Sequence, residues 1–503
     1  MIENFGMMFQ SIGTLMTLEN LAALVSGAII GFLVGVLPGL GSIASVSLLL
    51  PIVFSMSPVT GMAMLGSLYY STMYSGCYTA ILLNIPGESA AVMTSLDGYP
   101  MAKKGRAGQA MSASILASFI GGTIGIIIVV AIGPAIARVG LKFGPTELAA
   151  LMLLALSSIG WLMGDKPTKG ITSAMLGLIL GMIGLDIRGI PRYNFGNVYL
   201  LGGLDFAAVS IGLFGFSEIL SMIEDRSGEV KESDFGSVKL SFKDSMLTKD
   251  DAKRMLPPSL RSGILGCFIG ILPGAGATIA AFLGYTMQKF FKNKEPLGSG
   301  AVEGVAAAEA ANNAASAGAF APLLALGIPG SAVTAIMLSA MMVWGLKPGP
   351  LLFTQSPELA WSTIATLFVA NIVTLIISLG VIPIIVNVLK VPYKYMIPSI
   401  TFICIIGAYS INNSMYGVVL MLVFGLVGYV LNKFGYPLSP VLLAFVLSDL
   451  FEANLRKALI TSQGSPMIFL TRPISLVMIL IMVALLLSPA IRSLLSRRKK
   501  DGN

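Results

Sequence analysis

Histidine is absent from all 503 residues, and cysteine occurs only at Cys77, Cys267 and Cys404, each inside an apolar stretch and far from the others. The first absence removes the side chain most used for proton relay, metal ligation and general-base work near neutral pH. The second excludes a disulfide framework or a cysteine-ligated metal cluster. Charge is scarce too: 11% of residues are Asp, Glu, Lys or Arg, against roughly 25% in a soluble domain. With 55% hydrophobic residues and a mean hydropathy of +0.86, the chain reads as an integral membrane protein. Ten-residue apolar/polar alternation, the mark of a membrane β-barrel, is missing. The first residues show no basic n-region and no small-residue cleavage site, so no removable signal peptide is expected.

What the chain does have is apolar runs from end to end, at residues 21–37, 61–83, 111–136, 148–163, 204–223, 359–388 and 474–487. At ~20 residues per crossing they predict an all-α polytopic fold of about a dozen spanning or half-spanning helices. The net charge of +8 sits in short loops and in Arg497-Arg498-Lys499-Lys500 after the last apolar run. That placement predicts a cytoplasmic C-terminus and excludes a nucleic-acid stripe, which would interleave bases with aromatics.

Two motifs occur twice. Residues 31–41 read G-F-L-V-G-V-L-P-G-L-G and residues 266–276 read G-C-F-I-G-I-L-P-G-A-G. Residues 83–90, L-N-I-P-G-E-S-A, are echoed by residues 326–332, L-G-I-P-G-S-A. The prolines pair at offsets of 235 (Pro38, Pro273) and 243 (Pro86, Pro329), as an old duplication with a short insertion would leave them. Residues 1–223 are read as the first repeat, 224–258 as a polar linker, and 259–503 as the second repeat with a C-terminal helix and basic tail. Lys103, Lys104 and Arg106 follow the first Ile-Pro-Gly, whereas Lys289, Lys292 and Lys294 follow the second Leu-Pro-Gly. If basic loops are cytoplasmic, corresponding loops lie on opposite sides and the repeat is inverted.

A Pro-Gly break stops a helix in an apolar region and leaves backbone polar groups that need partners. The N–H groups of a restarting helix suit a carboxylate, and carbonyls freed at the preceding helix end suit sodium. The candidate substrate contacts are therefore Gly39, Gly41, Ser42, Ser45, Asn84, Pro86, Gly87 and Ser89 in the first half, and Gly274, Gly276, Thr278, Asn312, Asn313, Gly330 and Ser331 in the second. Candidate sodium positions are the backbone at Pro38, Gly39, Pro273, Gly274 and Pro329. One such break alone reads more readily as a kink with Gly-x-x-x-Gly packing; four in two matched pairs favour a site. Asn312 and Asn313 line a cavity or bond a neighbouring helix, with Glu303 and Glu309 the nearest acids. Tyr69, Tyr70, Tyr74 and Tyr78 form a hydroxyl-rich wall or an interfacial belt. Asp97-Gly98 reads as a loop turn. Intramembrane hydrolysis would need a base beside a nucleophile or a deep carboxylate pair, and the acids Asp165, Asp186, Asp205, Glu218, Asp449 and Glu452 fall mostly near the ends of apolar runs, which argues against an enzyme. A channel or a non-transporting scaffold is the other reading.

The G-x-L-P-G-x-G run, residues 69–76 (Y-Y-S-T-M-Y-S-G) leading to 80–87 (A-I-L-L-N-I-P-G), Leu96-Asp97-Gly98-Tyr99-Pro100, and Glu309-Ala310-Ala311-Asn312-Asn313 followed by L-G-I-P-G together resemble the large membrane subunit of the tripartite tricarboxylate transporters. The match covers most of the chain in order. It departs at Ser71 and Thr72, where the family often has glycine or alanine. The resemblance implies a bacterial inner-membrane secondary transporter for citrate-like or other carboxylates, driven by a cation gradient, with sodium the expected ion and a proton the alternative. It also implies two partners, a small membrane subunit and a periplasmic solute-binding protein, and no organic cofactor.

Overall fold

The computed structural model describes residues 2–37, 40–162, 167–186, 188–224, 240–274, 276–385, 393–410 and 413–484. The first half runs α1 (Ile2–Leu15), α2 (Leu18–Val36), α3 (Gly41–Phe54), α4 (Pro58–Leu83), α5 (Val92–Met101), α6 (Ala107–Gly140), α7 (Pro145–Leu162), α8 (Pro167–Gly181), α9 (Phe206–Ser210) and α10 (Ser217–Glu224). The second begins with α11 (Lys249–Ile271), α12 (Gly276–Gln288), α13 (Val302–Gly318), α14 (Phe320–Leu326), α15 (Ala332–Val343), α16 (Leu352–Gln355) and α17 (Pro357–Val381). Among the described residues six helical runs are long and apolar enough to cross a membrane: Leu18–Val36, Ser89–Gly140, Phe206–Glu224, Pro357–Ile384, Met415–Lys433 and Leu438–Thr461. Shorter apolar helices such as Gly41–Phe54 and Ala332–Val343 accompany them.

The chain divides into two compact units, and each takes segments from both halves. One comprises Met1–Arg138 and Asp205–Val430, the other Val139–Leu204 and Leu431–Asn503. In the smaller unit α7 and α8 pack on the helix Leu438–Thr461, where Gly177 lets the Val441 carbonyl approach closely. A two-stranded antiparallel ribbon pairs Gly184 with Arg192 and Leu185 with Pro191. Arg192 clamps Glu452 with two hydrogen bonds of 2.9 Å, and Arg456 reaches Asp186 at 3.0 Å.

The larger unit is built around α4 and α13. Residues 60–82 of α4 and every residue of α13 are buried, so the polar side chains these helices carry lie inside the unit, away from lipid. Each has a glycine-lined partner. A Cβ on Gly31 of α2 would run into the Leu68 carbonyl, and one on Gly35 would come 2.8 Å from the Thr72 Cα. At the same 235-residue offset, Gly266 and Gly270 of α11 face the Ala311 and Ala315 carbonyls, with the Ala315 Cα 2.6 Å from a Cβ on Gly270. Small residues thus bring backbones together where lipid supplies no hydrophobic drive.

Asp97-Gly98 is not a loop. It lies within α5, because the Asp97 carboxylate is spent elsewhere: it accepts the backbone N–H groups of Gly298, Gly300 and Ala301 at 2.8 Å each and the Tyr285 hydroxyl at 2.9 Å. A first-half side chain therefore holds the chain entering α13, whose Ala301 N-cap has no side-chain acceptor of its own. Gly98 is needed for packing, since a Cβ there would meet Ile81 at 2.7 Å.

Candidate functional site

Both Leu-Pro-Gly breaks are entered in the same way. α2 ends at Leu37 and α11 at Leu272, each in extended conformation before its proline (ψ 124° and 122°), with the cap N–H bonded three residues back. Proline disfavours the helical region for the residue before it, so the stop is written locally. The helices restart at Gly41 and Gly276, with φ of 54° and 66°. The Ile-Pro-Gly breaks match as well: α4 ends on left-handed Asn84 (φ 59°) and α14 on left-handed Gly327 (φ 71°).

Within each half the two breaks touch. Gly87 donates its N–H to the Gly76 carbonyl at 3.1 Å, and any Cβ on it would strike the Gly35 carbonyl. In the second half the Gly274 N–H donates to the Gly330 carbonyl at 3.1 Å, and a Cβ on Gly330 would lie 2.8 Å from the Gly270 carbonyl. The halves also meet. The Ser89–Ala91 turn packs on α12 and α13, and α3 packs on α15. Buried Tyr69 of α4 faces the side chains of Ser316 and Ser331, and Glu88 lies within electrostatic reach of it.

Of the candidate residues, Ser42 and Ser45 are buried; the Ser45 hydroxyl bonds back to the Gly41 carbonyl at 2.5 Å. Ser331 is used as the cap of α15, in a reciprocal pair with Thr334. Asn84, Ser89 and Thr278 are exposed, Pro86 and Pro273 half-buried, and Pro329 and Gly330 buried. Pro38 and Gly39 lie outside the described residues.

Asn312 and Asn313 are buried on α13. The Asn313 Nδ2 donates to the Glu309 carbonyl at 3.2 Å, while its Oδ1, and both polar atoms of Asn312, find no hydrogen-bond partner among the described residues. Asn371 of α17 shows what a packing asparagine looks like in the same unit: its Nδ2 donates to the Phe119 carbonyl at 3.1 Å and to Thr123 at 3.0 Å, and its Oδ1 accepts from Tyr74. An orphaned buried amide costs about 1–3 kcal/mol, and Asn371 avoids that cost where the Asn312 Oδ1 does not.

One participant escaped the sequence reading, and so did one correspondence between the halves. Glu88 places its carboxylate on the N-terminus of α3, accepting the Ser42 N–H at 2.6 Å; the motif holds Ser331 at the matching place, 243 residues on, so the repeat itself could have flagged it. The same offset pairs Tyr69 with Asn312 and Tyr70 with Asn313. The tyrosine pair is thus the first-half counterpart of the asparagine pair, and all four tyrosines of α4 are buried instead of forming an interfacial belt.

Paired helix breaks enclosed in a multi-pass helical protein are the architecture of a membrane transport subunit. The chain belongs to the tripartite tricarboxylate transporter TctA family, whose model matches residues 21–443. It is 38% identical over 502 residues to an uncharacterized 52.8 kDa protein in the TAR-I ttuC' 3' region of Agrobacterium vitis, covering 99% of this chain and 98% of that one. It is 42% identical over 232 residues to an uncharacterized protein in the TAR-II ttuC' 3' region of the same organism, covering 45% of this chain and 96% of that one. No solved structure matches.

Proposed function

We propose that the chain is the substrate-translocating subunit of a binding-protein-dependent secondary transporter for small carboxylates, citrate-like tricarboxylates or dicarboxylates, working by alternating access in a bacterial inner membrane. A small membrane subunit and a periplasmic solute-binding protein complete the system. The observation that carries this reading is the Glu88 carboxylate on the Ser42 N–H: a helix end opened by a Leu-Pro-Gly break in this fold accepts a carboxylate. The matching end of α12 has Ala277 in place of Ser42 and Ser331 in place of Glu88, and Ser331 is turned to Thr334. Substrate carboxylate takes that second helix end, with Asn312 and Asn313 supplying side-chain contacts and the backbone near Pro38, Gly39, Pro273, Gly274 and Pro329 holding sodium.

An inverted repeat, with residues 1–223 and 259–503 as its halves and a cytoplasmic C-terminus, is part of the same reading. Its support is a shared ion network: Lys104 donates to the Ser299 carbonyl at 2.6 Å, Arg106 pairs with Asp251 at 2.7 Å, and Lys294 pairs with Asp250 at 2.9 Å. The basic residues after the first Ile-Pro-Gly, read as a loop but helical at Ala102–Arg106 with a kink at Gly105, and the basic loop after the second Leu-Pro-Gly therefore lie together at one end of the larger unit, which is what an inverted repeat would need.

The test is uptake of labelled citrate into proteoliposomes carrying the chain with both partner subunits. A saturable, sodium-gradient-dependent signal that falls at least tenfold in Asn312→Ala supports the proposal. Flux without a gradient identifies a channel, and uptake that survives Asn312→Ala and Ser42→Ala together removes the site assignment.

A further inference from the structure

Glu309 sits in the middle of α13, is fully buried, and accepts hydrogen bonds from two hydroxyls, Thr94 of α5 at 2.5 Å and Ser118 of α6 at 3.0 Å. Among the described residues no lysine or arginine pairs with it. Glu303, two turns earlier on the same helix, has what Glu309 lacks: a two-point bond from Arg254 at 2.9 and 2.8 Å.

The ionisable groups on the packed elements offer no counter-charge. From α4, Tyr74 and Cys77 face Glu309, and Tyr74 is engaged with Asn371. Asp97 of α5 is engaged with Tyr285 of α12 and with backbone N–H groups. On α11, Cys267 is neutral-sided toward the Gly125 carbonyl, Arg254 is taken by Glu303, and Arg261 stacks on Phe291 and donates to Gln288. Arg106 of the segment before α6 is bonded to Asp251. A permanent charge in this position, with two neutral donors, is expensive in a membrane interior.

A cation must therefore accompany the carboxylate for at least part of the protein's cycle, and the surroundings choose between a proton and a metal. Sodium needs several oxygen ligands, and α13 is continuous from Val302 to Gly318, so the carbonyls around Glu309 are committed to the helix. No cluster of three or more acidic or sulfur ligands is present among the described residues. A proton needs only one acceptor. One turn on, the Asn312 side chain approaches Glu309 with its amide on the donor side, and its Oδ1 has no hydrogen-bond partner among the described residues.

We infer that Glu309 is a proton-binding site that cycles between carboxylate and acid within the folded protein. As carboxylate it accepts from Thr94 and Ser118. On taking up a proton, the oxygen bonded to Thr94 becomes an O–H that donates to the Asn312 Oδ1 once that amide turns over; the Thr94 hydroxyl is freed to turn, and Ser118 stays on the carbonyl oxygen. Because Thr94 lies on the helix that follows the first Ile-Pro-Gly break and Asn312 faces the site, the proton reports on both halves at once. That this proton is carried with substrate rests on the transporter reading; its exchange at Glu309 does not, and is measurable without uptake.

Infrared difference spectroscopy of the purified full-length protein in lipid nanodiscs, titrated between about pH 5 and pH 9, reads the site directly. The expected result is a protonated-carboxyl band that disappears with rising pH, is missing in Glu309→Gln and is retained in Glu303→Gln. Should Glu309→Gln fail to fold, Ser118→Ala decides, because removing one hydrogen-bonding partner moves the same band to higher frequency. The inference is overturned by an identical band in Glu309→Gln, by a Ser118→Ala band that does not move, or by loss of the wild-type band on adding sodium at constant pH, which would make the occupant a metal.

Discussion

Asparagine serves two ends in this protein, and one substitution at each position tells them apart. Asn371→Ala strands the buried Tyr74 hydroxyl and removes two further hydrogen bonds, to the Phe119 carbonyl and Thr123, which keep each other as partners; it should cost about 1–3 kcal/mol of stability. Asn312→Ala removes an amide whose one neighbouring polar group is Glu309, so the melting temperature should fall less than in Asn371→Ala while citrate uptake is lost. Thermal unfolding of both purified variants beside the uptake assay checks the pair; equal destabilisation would make Asn312 a packing residue. Asp97 belongs at this scale too. Its carboxylate serves three N–H groups and the Tyr285 hydroxyl, so Asp97→Ala should destabilise by about 3 kcal/mol or more, read as a lower unfolding midpoint, with Asp97→Asn intermediate.

At the scale of helices, the α2–α4 and α11–α13 pairs rest on glycine. Gly266→Ala pushes a methyl group into the Ala311 backbone and should cost about 1–3 kcal/mol by overpacking. Gly13→Ala, where a Cβ meets nothing within 4 Å, should instead stabilise α1 by up to about 1 kcal/mol. Melting curves of the two variants should move in opposite directions. The start of α11 adds a pH-dependent clip. Burial pushes the Asp251 carboxyl up, but the Thr248 hydroxyl and the Arg106 guanidinium outweigh it and hold the group below the ordinary carboxylate range. A carboxyl depressed in the folded state stabilises above its unfolded value and loses that contribution as pH falls through the folded one. The melting temperature should therefore drop on acidification below about pH 4, and Asp251→Asn should flatten that part of the curve.

At the scale of the molecule, the ion network at one end of the larger unit bears on membrane orientation. Cysteines introduced in the wild-type background at Lys103 and Lys292 should both be labelled by an impermeant maleimide from the same side of inside-out vesicles; labelling from opposite sides would remove the inverted repeat. The sequence by itself determined the membrane class, the family and the four breaks, because proline and glycine act on their immediate neighbours and apolar runs declare themselves by length. It also held the 243-residue offset that matches Tyr69 with Asn312 and Glu88 with Ser331. Only the tertiary structure decided that Glu88 closes the α3 end, that Asp97 reaches across to α13, that no lysine or arginine among the described residues pairs with Glu309, and that each compact unit draws on both halves. Those are contacts between residues tens to hundreds of positions apart, and a side chain's partner at that range is set by how helices pack, which local propensity does not encode.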